Sequence, residues 1–138
     1  MNNFHKEYRN HYLKEKKIYP SVFALKLFLG NNPNLSLQAN SFKGKKILDV
    51  GFGDGRDISL FSDLGFDAYG IEVDSKVVKH SQEKLKRMGI KCTLSVGSND
   101  ETGFSENSFD YVYSSAALMY LSNPQITLNQ ILKHIYLI

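Results

Sequence analysis

Glycines alternate with acidic and apolar residues in one short stretch of the sequence, and this stretch carries the clearest chemical signal. Gly51, Gly53 and Gly55 allow a backbone turn with positive φ angles and leave no Cβ between the main chain and a ligand. Asp49 places a carboxylate just before the turn. Since an apolar run precedes the turn and a helical pattern follows it, the stretch predicts a nucleotide site between a strand and a helix.

A second carboxylate stands at a distance along the chain that suits a ribose. Glu72 follows Gly51 by about 20 positions, the spacing expected of a ribose-binding acid in a strand, turn, helix and strand unit. A carboxylate at the end of the second strand accepts two hydrogen bonds from the ribose hydroxyls, and such charge-assisted bonds are strong. Asp74 is predicted to cap the next helix instead of binding a ligand.

The other reactive side chains show no pattern that supports catalysis. The histidines lack the spacing of zinc ligands, no serine has the Gly-x-Ser-x-Gly context of a nucleophile, and Cys92 falls inside a predicted strand. We therefore predict no metal site and no covalent catalysis, and the catalytic residues stay unknown. Tyr113 and Tyr120 are expected to line the pocket rather than to act as general bases.

Strands and helices alternate from residue 47 onwards, which predicts an α/β fold with a parallel sheet. The predicted strands are Ile47–Val50, Ala68–Glu72, Lys91–Val96 and Tyr111–Ser114. The predicted helices are Asp57–Leu64, Ser75–Met88 and a third that begins at Asn123. The helix before Gly89 is expected to turn five side chains inward, namely Val77, Val78, Ser81, Leu85 and Met88.

The glycine spacing decides between classes of nucleotide. A dinucleotide fingerprint needs a glycine three positions after Gly53, and Arg56 stands there, so NAD is disfavoured. The pattern Asp-x-Gly-x-Gly-x-Gly instead resembles the class I S-adenosylmethionine-dependent methyltransferases, close to the small-molecule type 11 and type 25 domains. The resemblance implies S-adenosylmethionine as cofactor and S-adenosylhomocysteine as product. It also implies a three-layer sandwich with a Rossmann-like parallel sheet in the order 3-2-1-4 and the ligand over the strand carboxyl ends.

A second segment supports the same resemblance. Residues 97–110 align without a gap on the family's Gly-Asp-Ala-Glu-x-Leu-Pro-Phe-x-Asp-Asn-Ser-Phe-Asp segment. This chain has Ser98, followed by Asn99, where the family usually places the acid that holds the adenine amino group, so a hydroxyl or an amide would bind the base without charge assistance. By resemblance, the cofactor-binding residues are Asp49, Gly51, Phe52, Gly53, Gly55, Glu72, Val73, Ser98, Asn99 and Ser114.

Residues 1–44 are predicted to be a helical lid and linker, and residues 45–138 a partial cofactor-binding domain. An aromatic stripe recurs at helical spacing over Phe4–Lys17, and Ser21 caps a second helix over Val22–Leu29. In many members of the family such leading helices lie over the cofactor. Core packing is expected for the tyrosines of this segment, with closure of the site as the alternative (Tyr8, Tyr12 and Tyr19).

Methyl transfer to a small molecule is the function that the resemblance implies. The sulfonium of the cofactor is already an activated electrophile, so the protein mainly has to hold the nucleophile, the methyl carbon and the sulfur in line. The alternative is a catalytically inert cofactor-binding module or partner subunit. Ser98 at the adenine position favours that alternative.

Composition and charge favour a cytoplasmic protein. With one cysteine the chain has no disulfide framework, and its amino terminus lacks the apolar core of a signal peptide. No apolar run approaches the about 20 residues of a membrane-spanning helix. The net charge is +3, with the basic residues concentrated before the first strand. Because these lysines are scattered and no aromatic pattern accompanies them, we expect a solvated helix face and disfavour a nucleic-acid partner. The alternative is a surface that recruits an acidic acceptor, a phosphorylated sugar, an anionic lipid headgroup or nucleic acid.

The sequence stops at Ile138, before the family's last three strands. The strand over Tyr111–Ser114 would then keep one unpaired edge, and the helix after Asn123 would expose Ile126, Ile131 and Ile135. We expect either an amino-terminal fragment of a longer enzyme or self-association through this open sheet edge.

Overall fold

The computed structural model describes residues 3–30, 42–98 and 101–117, and the single positions 123, 125, 129, 132 and 133. The helices in these ranges are α1 (Asn3–Tyr12), α2 (Val22–Phe28), α3 (Arg56–Asp63) and α4 (Ser75–Arg87). The strands are β1 (Lys46–Val50), β2 (Asp67–Glu72), β3 (Thr93–Val96) and β4 (Tyr111–Tyr113). Every predicted strand is present, with ends that differ by one or two residues.

The strands form one parallel sheet in the order β3-β2-β1-β4. In this register Ile47 lies opposite Ala68 and Tyr111, and Glu72 lies opposite Val96. Because α3 and α4 connect strands that are parallel neighbours, the carboxyl ends of the strands meet at one edge of the sheet. The predicted α/β fold with the Rossmann-like order 3-2-1-4 is confirmed.

Aromatic rings fill the space between the sheet and the helices on one of its faces. Phe28 of α2 and Phe61 of α3 contact each other edge to face, with ring centroids 5.0 Å apart. Phe61 also contacts Tyr113 of β4 at 5.1 Å. Apolar side chains of α4, among them Leu85, complete this main core. The helical layer is thus joined to both the centre and the β4 side of the sheet.

The opposite face of the sheet carries a smaller apolar cluster, made of Leu48, Val50, Ile71 and Phe109. Positions 125, 129 and 132 are helical, in agreement with a helix after Asn123. The N–H of Asn107 donates to the carbonyl of Lys133 (2.9 Å), which ties this helical segment to the residues before β4. Several predicted positions lie outside the described residues, namely Tyr120, Ile126, Ile131 and Ile135.

Polar caps begin two of the helices, as the sequence predicts. The hydroxyl of Ser21 accepts a hydrogen bond from the N–H of Ala24 (3.1 Å) at the start of α2. The carboxylate of Asp74 accepts from the N–H groups of Lys76 and Val77 (2.9 and 3.3 Å) at the start of α4. Since the first N–H groups of a helix have no partner within it, these side chains fix where α2 and α4 begin.

The first helix is shorter than predicted. α1 ends at Tyr12 and not at Lys17, because residues 14–17 carry no apolar side chain that could bury a further helical turn. Two side chains of this stretch instead form ion pairs with distant residues. Glu15 pairs with Arg87 at 2.9 Å, and Lys16 pairs with Asp54 at 3.8 Å.

One residue predicted to face inward from α4 does not. Met88 is 48% exposed, whereas the other predicted inward positions, such as Val77 and Leu85, are buried. The helix ends at Arg87 and Met88 is its C-cap. A residue past the last helical position no longer follows the helical period, so its side chain need not face the core.

Removal of one ring tests how far the fold depends on the aromatic layer. Phe61 is fully buried and contacts Phe28, Phe66 and Tyr113, so Phe61→Ala should lower the free energy of unfolding by about 3–5 kcal/mol. Urea denaturation followed by circular dichroism measures this change. Tyr19→Ala is the control, since Tyr19 is 70% exposed. Similar losses in the two variants would contradict the assignment of the core.

Candidate functional site

The glycine turn connects β1 to α3 and is held by the end of β2. The N–H groups of Gly51 and Phe52 donate to the carbonyl of Ile71 (2.8 and 3.3 Å). Gly53 has a φ of 58°, which residues with a Cβ rarely adopt. The turn therefore presents bare main chain at the carboxyl edge of the sheet.

Glu72 lies at the end of β2 directly beside this turn. Its side chain is buried, and its Oε2 accepts hydrogen bonds from the N–H of Gly53 (3.3 Å) and from the hydroxyl of Tyr8 (2.8 Å). Its Oε1 accepts from the N–H of Val73 (2.8 Å). The structure thus brings together the glycine turn and the carboxylate that the sequence analysis paired through their spacing.

Asp49 and Asp57 are two further buried carboxyl groups beside the turn. Asp57 accepts hydrogen bonds from the N–H and the hydroxyl of Ser21 (2.7 and 2.9 Å) and from the hydroxyl of Tyr113 (2.8 Å). Burial raises the pKa of Asp49 well above its ordinary value, and the charges of Asp57 and Glu72 raise it further. The three carboxyl groups thus lie close enough for their charges to repel one another.

A cavity of about 450 Å³ and another of about 300 Å³ adjoin the turn. The smaller cavity is bounded by the acidic residues Asp49, Asp54 and Asp57. The larger cavity is bounded by α1, through residues that include Phe4, Glu7 and Tyr8. The two cavities share part of their walls, namely His11, Tyr12, Gly51, Ser115 and Ala116. Together they offer the space of a nucleoside-sized ligand with a smaller group beside it.

Two tyrosine hydroxyls of the site donate hydrogen bonds to carboxylates. Burial and the neighbouring Asp57 raise the pKa of Tyr113 to about 12. Burial and the charge of Glu72 likewise raise the pKa of Tyr8. Both hydroxyls stay protonated at neutral pH, so neither acts there as a general base. The expectation that Tyr113 lines the pocket agrees with its position in the wall of the smaller cavity.

Arg56 occupies the position at which a dinucleotide fingerprint needs a glycine. It forms a bidentate ion pair with Asp54. Its Nε and Nη2 donate to the two carboxylate oxygens, each at 3.0 Å. Burial acts to raise the pKa of Asp54, but the hydrogen bonds and charge of Arg56, with help from Lys16, outweigh it and hold that pKa below its ordinary value. Asp54 is thus neutralised within the chain.

Other predicted site residues lie further from the cavities. Gly55 lets α3 approach α4, since a Cβ there would lie 2.7 Å from Cδ1 of Leu85. The hydroxyl of Ser98 accepts from the N–H of Glu101 (3.1 Å), and that of Ser114 donates to the carbonyl of Val50 (3.3 Å). Val73 follows Glu72 and is exposed, and Asn99 lies outside the described residues. Their roles in cofactor binding stay predictions.

The three tyrosines of the amino-terminal segment do not pack in the core, contrary to expectation, although Phe28 and Phe42 of the same segment do. Neither core cluster contains Tyr8, Tyr12 or Tyr19, and no residue of α1 is buried. Tyr8 and Tyr12 instead line the larger cavity. The polar residues between the rings prevent α1 from packing against an apolar layer. Only the Tyr8 hydroxyl and the faces of the rings therefore reach the site.

The sequence analysis missed Asp57 and its partners. Asp57 stands in the first turn of α3, where an acidic residue is usually explained by the helix dipole. Its hydrogen-bond donors, Ser21 and Tyr113, come from distant parts of the chain.

Within the described ranges, no group of three or more metal-binding side chains forms, and no helix is long and apolar enough to cross a membrane.

Comparisons with known proteins agree with this geometry. Protein-L-isoaspartate O-methyltransferase of Xylella fastidiosa (strain M12) is 31% identical over 64 residues, which cover 46% of this chain and 30% of that protein. A SAM-dependent methyltransferase from Aquifex aeolicus superposes with a TM-score of 0.64 at 22% identity, covering 83% of this chain and 62% of that one. A protein solved in work on the conversion of a disulfide bond into a thioacetal group during echinomycin biosynthesis gives a TM-score of 0.73 at 16% identity, covering 96% and 54%.

The chain spans less than a third of the length of the Xylella relative and less than two thirds of the Aquifex structure. The structural likenesses, at these identities, establish the fold. A sequence model of the methyltransferase domain family matches residues 47–136, which is more than half of the chain. The chain therefore belongs to the methyltransferase domain family, the class I methyltransferases whose cofactor is S-adenosylmethionine.

Proposed function

We propose that this chain binds S-adenosylmethionine at the glycine turn and the end of β2 and transfers its methyl group to a small-molecule acceptor. The observation that carries the proposal is the set of buried carboxylates Asp49, Asp57 and Glu72 around bare main chain. S-adenosylmethionine brings a sulfonium and an ammonium against a single carboxylate, so its net charge is positive. A negatively charged pocket favours such a ligand and disfavours the pyrophosphate of a dinucleotide.

The proposal assigns a group of this chain to each part of the cofactor. In this proposal Glu72 accepts hydrogen bonds from the two ribose hydroxyls. The main chain at Gly51, which lines the smaller cavity, is assigned to the methionine moiety, and the carboxylate of Asp49 suits its ammonium group. At the adenine position Ser98 offers a hydroxyl instead of an acid, so base recognition is weaker than in the usual family pattern.

Catalysis in this proposal comes from positioning. The methyl carbon is already activated by the sulfonium, and Tyr8 and Tyr113 remain protonated hydroxyls. The space beside the turn is of small-molecule size, with cavities of about 450 and 300 Å³ in the arrangement in which α1 is docked. The Xylella relative is named for a protein substrate, but the match covers only 30% of that protein. We therefore place the acceptor among small molecules.

Three further expectations belong to the proposal. Residues 1–44 act as lid and linker to the domain at 45–138, and the protein works in the cytoplasm. Self-association through the free edge of β4 is also retained, since in the part of the chain that the structure describes β4 pairs with β1 alone. The second candidate function is an inert cofactor-binding module, for which Ser98 at the adenine position is the specific observation.

Calorimetry with S-adenosylhomocysteine tests the proposed site. The wild type should bind it, and Glu72→Gln should weaken binding by about 10- to 100-fold, because the charge-assisted bonds to the ribose are lost. Glu83→Gln on the exposed side of α4 is the matched control and should bind like the wild type. Absence of heat at millimolar ligand in the wild type would reject the cofactor assignment.

A turnover assay separates the enzyme from the inert module. Thiols, phenols, carboxylates and amines of low molecular weight are each incubated with the protein and S-adenosylmethionine, and S-adenosylhomocysteine is quantified. Turnover that depends on one acceptor class, and that Glu72→Gln lowers at subsaturating cofactor, is the expected result. If cofactor binds while every acceptor class leaves turnover at the background rate, the inert module is the correct function.

Asp49→Asn tests the charge argument through stability. The pKa of Asp49 is raised in the folded protein, so the folded state binds this proton more tightly than the unfolded chain. The ionised form then destabilises the fold, with no effect below the unfolded pKa and a growing effect as pH rises through the folded pKa. Asp49→Asn should therefore raise the melting temperature, and by more at about pH 8 than at about pH 5.

Asp67→Asn, at the exposed start of β2, is the control for this comparison and should shift the melting temperature little at either pH. Differential scanning calorimetry in the absence of cofactor provides the measurement. An increase of the same size at both pH values would show that ionisation of Asp49 is not the cause.

A further inference from the structure

The carboxylate of Glu72 is already occupied by donors of this chain. Its Oε1 accepts from the N–H of Val73 at 2.8 Å, and its Oε2 accepts from the N–H of Gly53 at 3.3 Å. The hydroxyl of Tyr8 donates to the same Oε2 at 2.8 Å. Glu72 is only 2% exposed, and the Tyr8 side chain covers it. Three of the about four acceptor positions of this carboxylate are therefore filled. The two ribose hydroxyls cannot both bind unless one donor leaves, and among these donors the Tyr8 hydroxyl is the only side chain.

A second ring of α1 lies on the glycine turn. A Cβ built on Gly53 would lie 2.5 Å from Cε1 of Tyr12, which means that the ring rests against bare main chain. Tyr8 and Tyr12 are four residues apart on one face of α1, and their ring centroids are 4.8 Å apart. A ligand that runs along the turn towards Glu72 meets both rings, so both must move when it binds.

The attachment of α1 is polar. None of its ten residues is buried. Two adjacent side chains anchor it to the end of β2 and the start of α4: Tyr8 binds Glu72, and Arg9 Nε donates to Asp74 Oδ2 at 2.7 Å. A short helix in which no residue is buried detaches at low free-energy cost once groups of a ligand replace its polar contacts.

We propose that Tyr8 is an internal competitor for the ribose at Glu72, so that α1 leaves the site when S-adenosylmethionine binds. The proposal rests on the proposed function, because it takes Glu72 to be the ribose acceptor. This role differs from that of a lid, which closes over a bound cofactor and adds contacts to the complex. In the position described here, α1 instead makes the contact at Glu72 that the cofactor would make. Removal of the Tyr8 hydroxyl therefore strengthens cofactor binding under the proposal and weakens or leaves it unchanged under lid closure.

Calorimetric titration of S-adenosylhomocysteine into three variants tests the competition. Tyr8→Phe keeps the ring and removes only the hydroxyl, and should lower the Kd by about 5- to 20-fold. Arg9→Gln does not touch Glu72 but releases the second anchor, and should lower the Kd in the same direction. Tyr19→Phe, on the exposed Tyr19, should leave the Kd unchanged. Circular dichroism verifies that each variant is folded.

Hydrogen exchange of the unmodified wild type gives an independent readout. Amides of residues 3–12 should exchange faster when S-adenosylhomocysteine is saturating, because α1 is displaced. A higher Kd or an unchanged Kd for Tyr8→Phe, or slower exchange of α1 with ligand, would overturn the competition while leaving the cofactor assignment intact. Failure of the wild type and of Tyr8→Phe to bind at millimolar ligand would overturn the proposed function, and the competition with it.

Discussion

Buried negative charge at the carboxyl edge of the sheet is the constraint on which the site depends. A carboxylate taken out of water is costly unless donors surround it. Asp57 is satisfied by Ser21 and Tyr113, and Glu72 by main-chain N–H groups and Tyr8. Burial and the charges of Asp57 and Glu72 raise the pKa of Asp49, so its charged form is disfavoured in the fold. The carboxylates of the site thus favour a cation, and their hydrogen bonds to Ser21 and Tyr8 connect the site to the amino-terminal segment.

The local patterns of the sequence were sufficient for the sheet and for its turn. Strand periodicity, the glycine turn and the caps at Ser21 and Asp74 each depend on residues close in sequence, and all are found. The pairing of Glu72 with the turn followed as well, because the length of one strand, turn and helix unit sets their spacing. Such local features recur in many proteins, and each can be recognised from a short stretch of sequence.

The contacts that complete the site could not be predicted in this way. Tyr8 and Glu72 are 64 positions apart, Ser21 and Asp57 are 36 apart, and Asp57 and Tyr113 are 56 apart. Nothing in the periodicity of α1 distinguishes a tyrosine that packs in a core from one that donates a hydroxyl to a distant acid. Only the docking of α1 on the end of β2 decides between the two, and it does so through single polar contacts.

The same carboxylates explain why the amino-terminal segment docks where it does. Glu72 and Asp57 are both buried, and unpaired buried charge destabilises a fold. The hydroxyls of Tyr8 and Ser21 supply donors from outside the sheet and relieve that cost. When a ligand brings its own donors, the contact to Tyr8 becomes replaceable, whereas Ser21 also caps α2 beside the aromatic core and remains in place. The two anchors of the segment therefore differ in kind: the one at Ser21 belongs to the fold, and the one at Tyr8 is, under the proposed competition, exchanged for the cofactor.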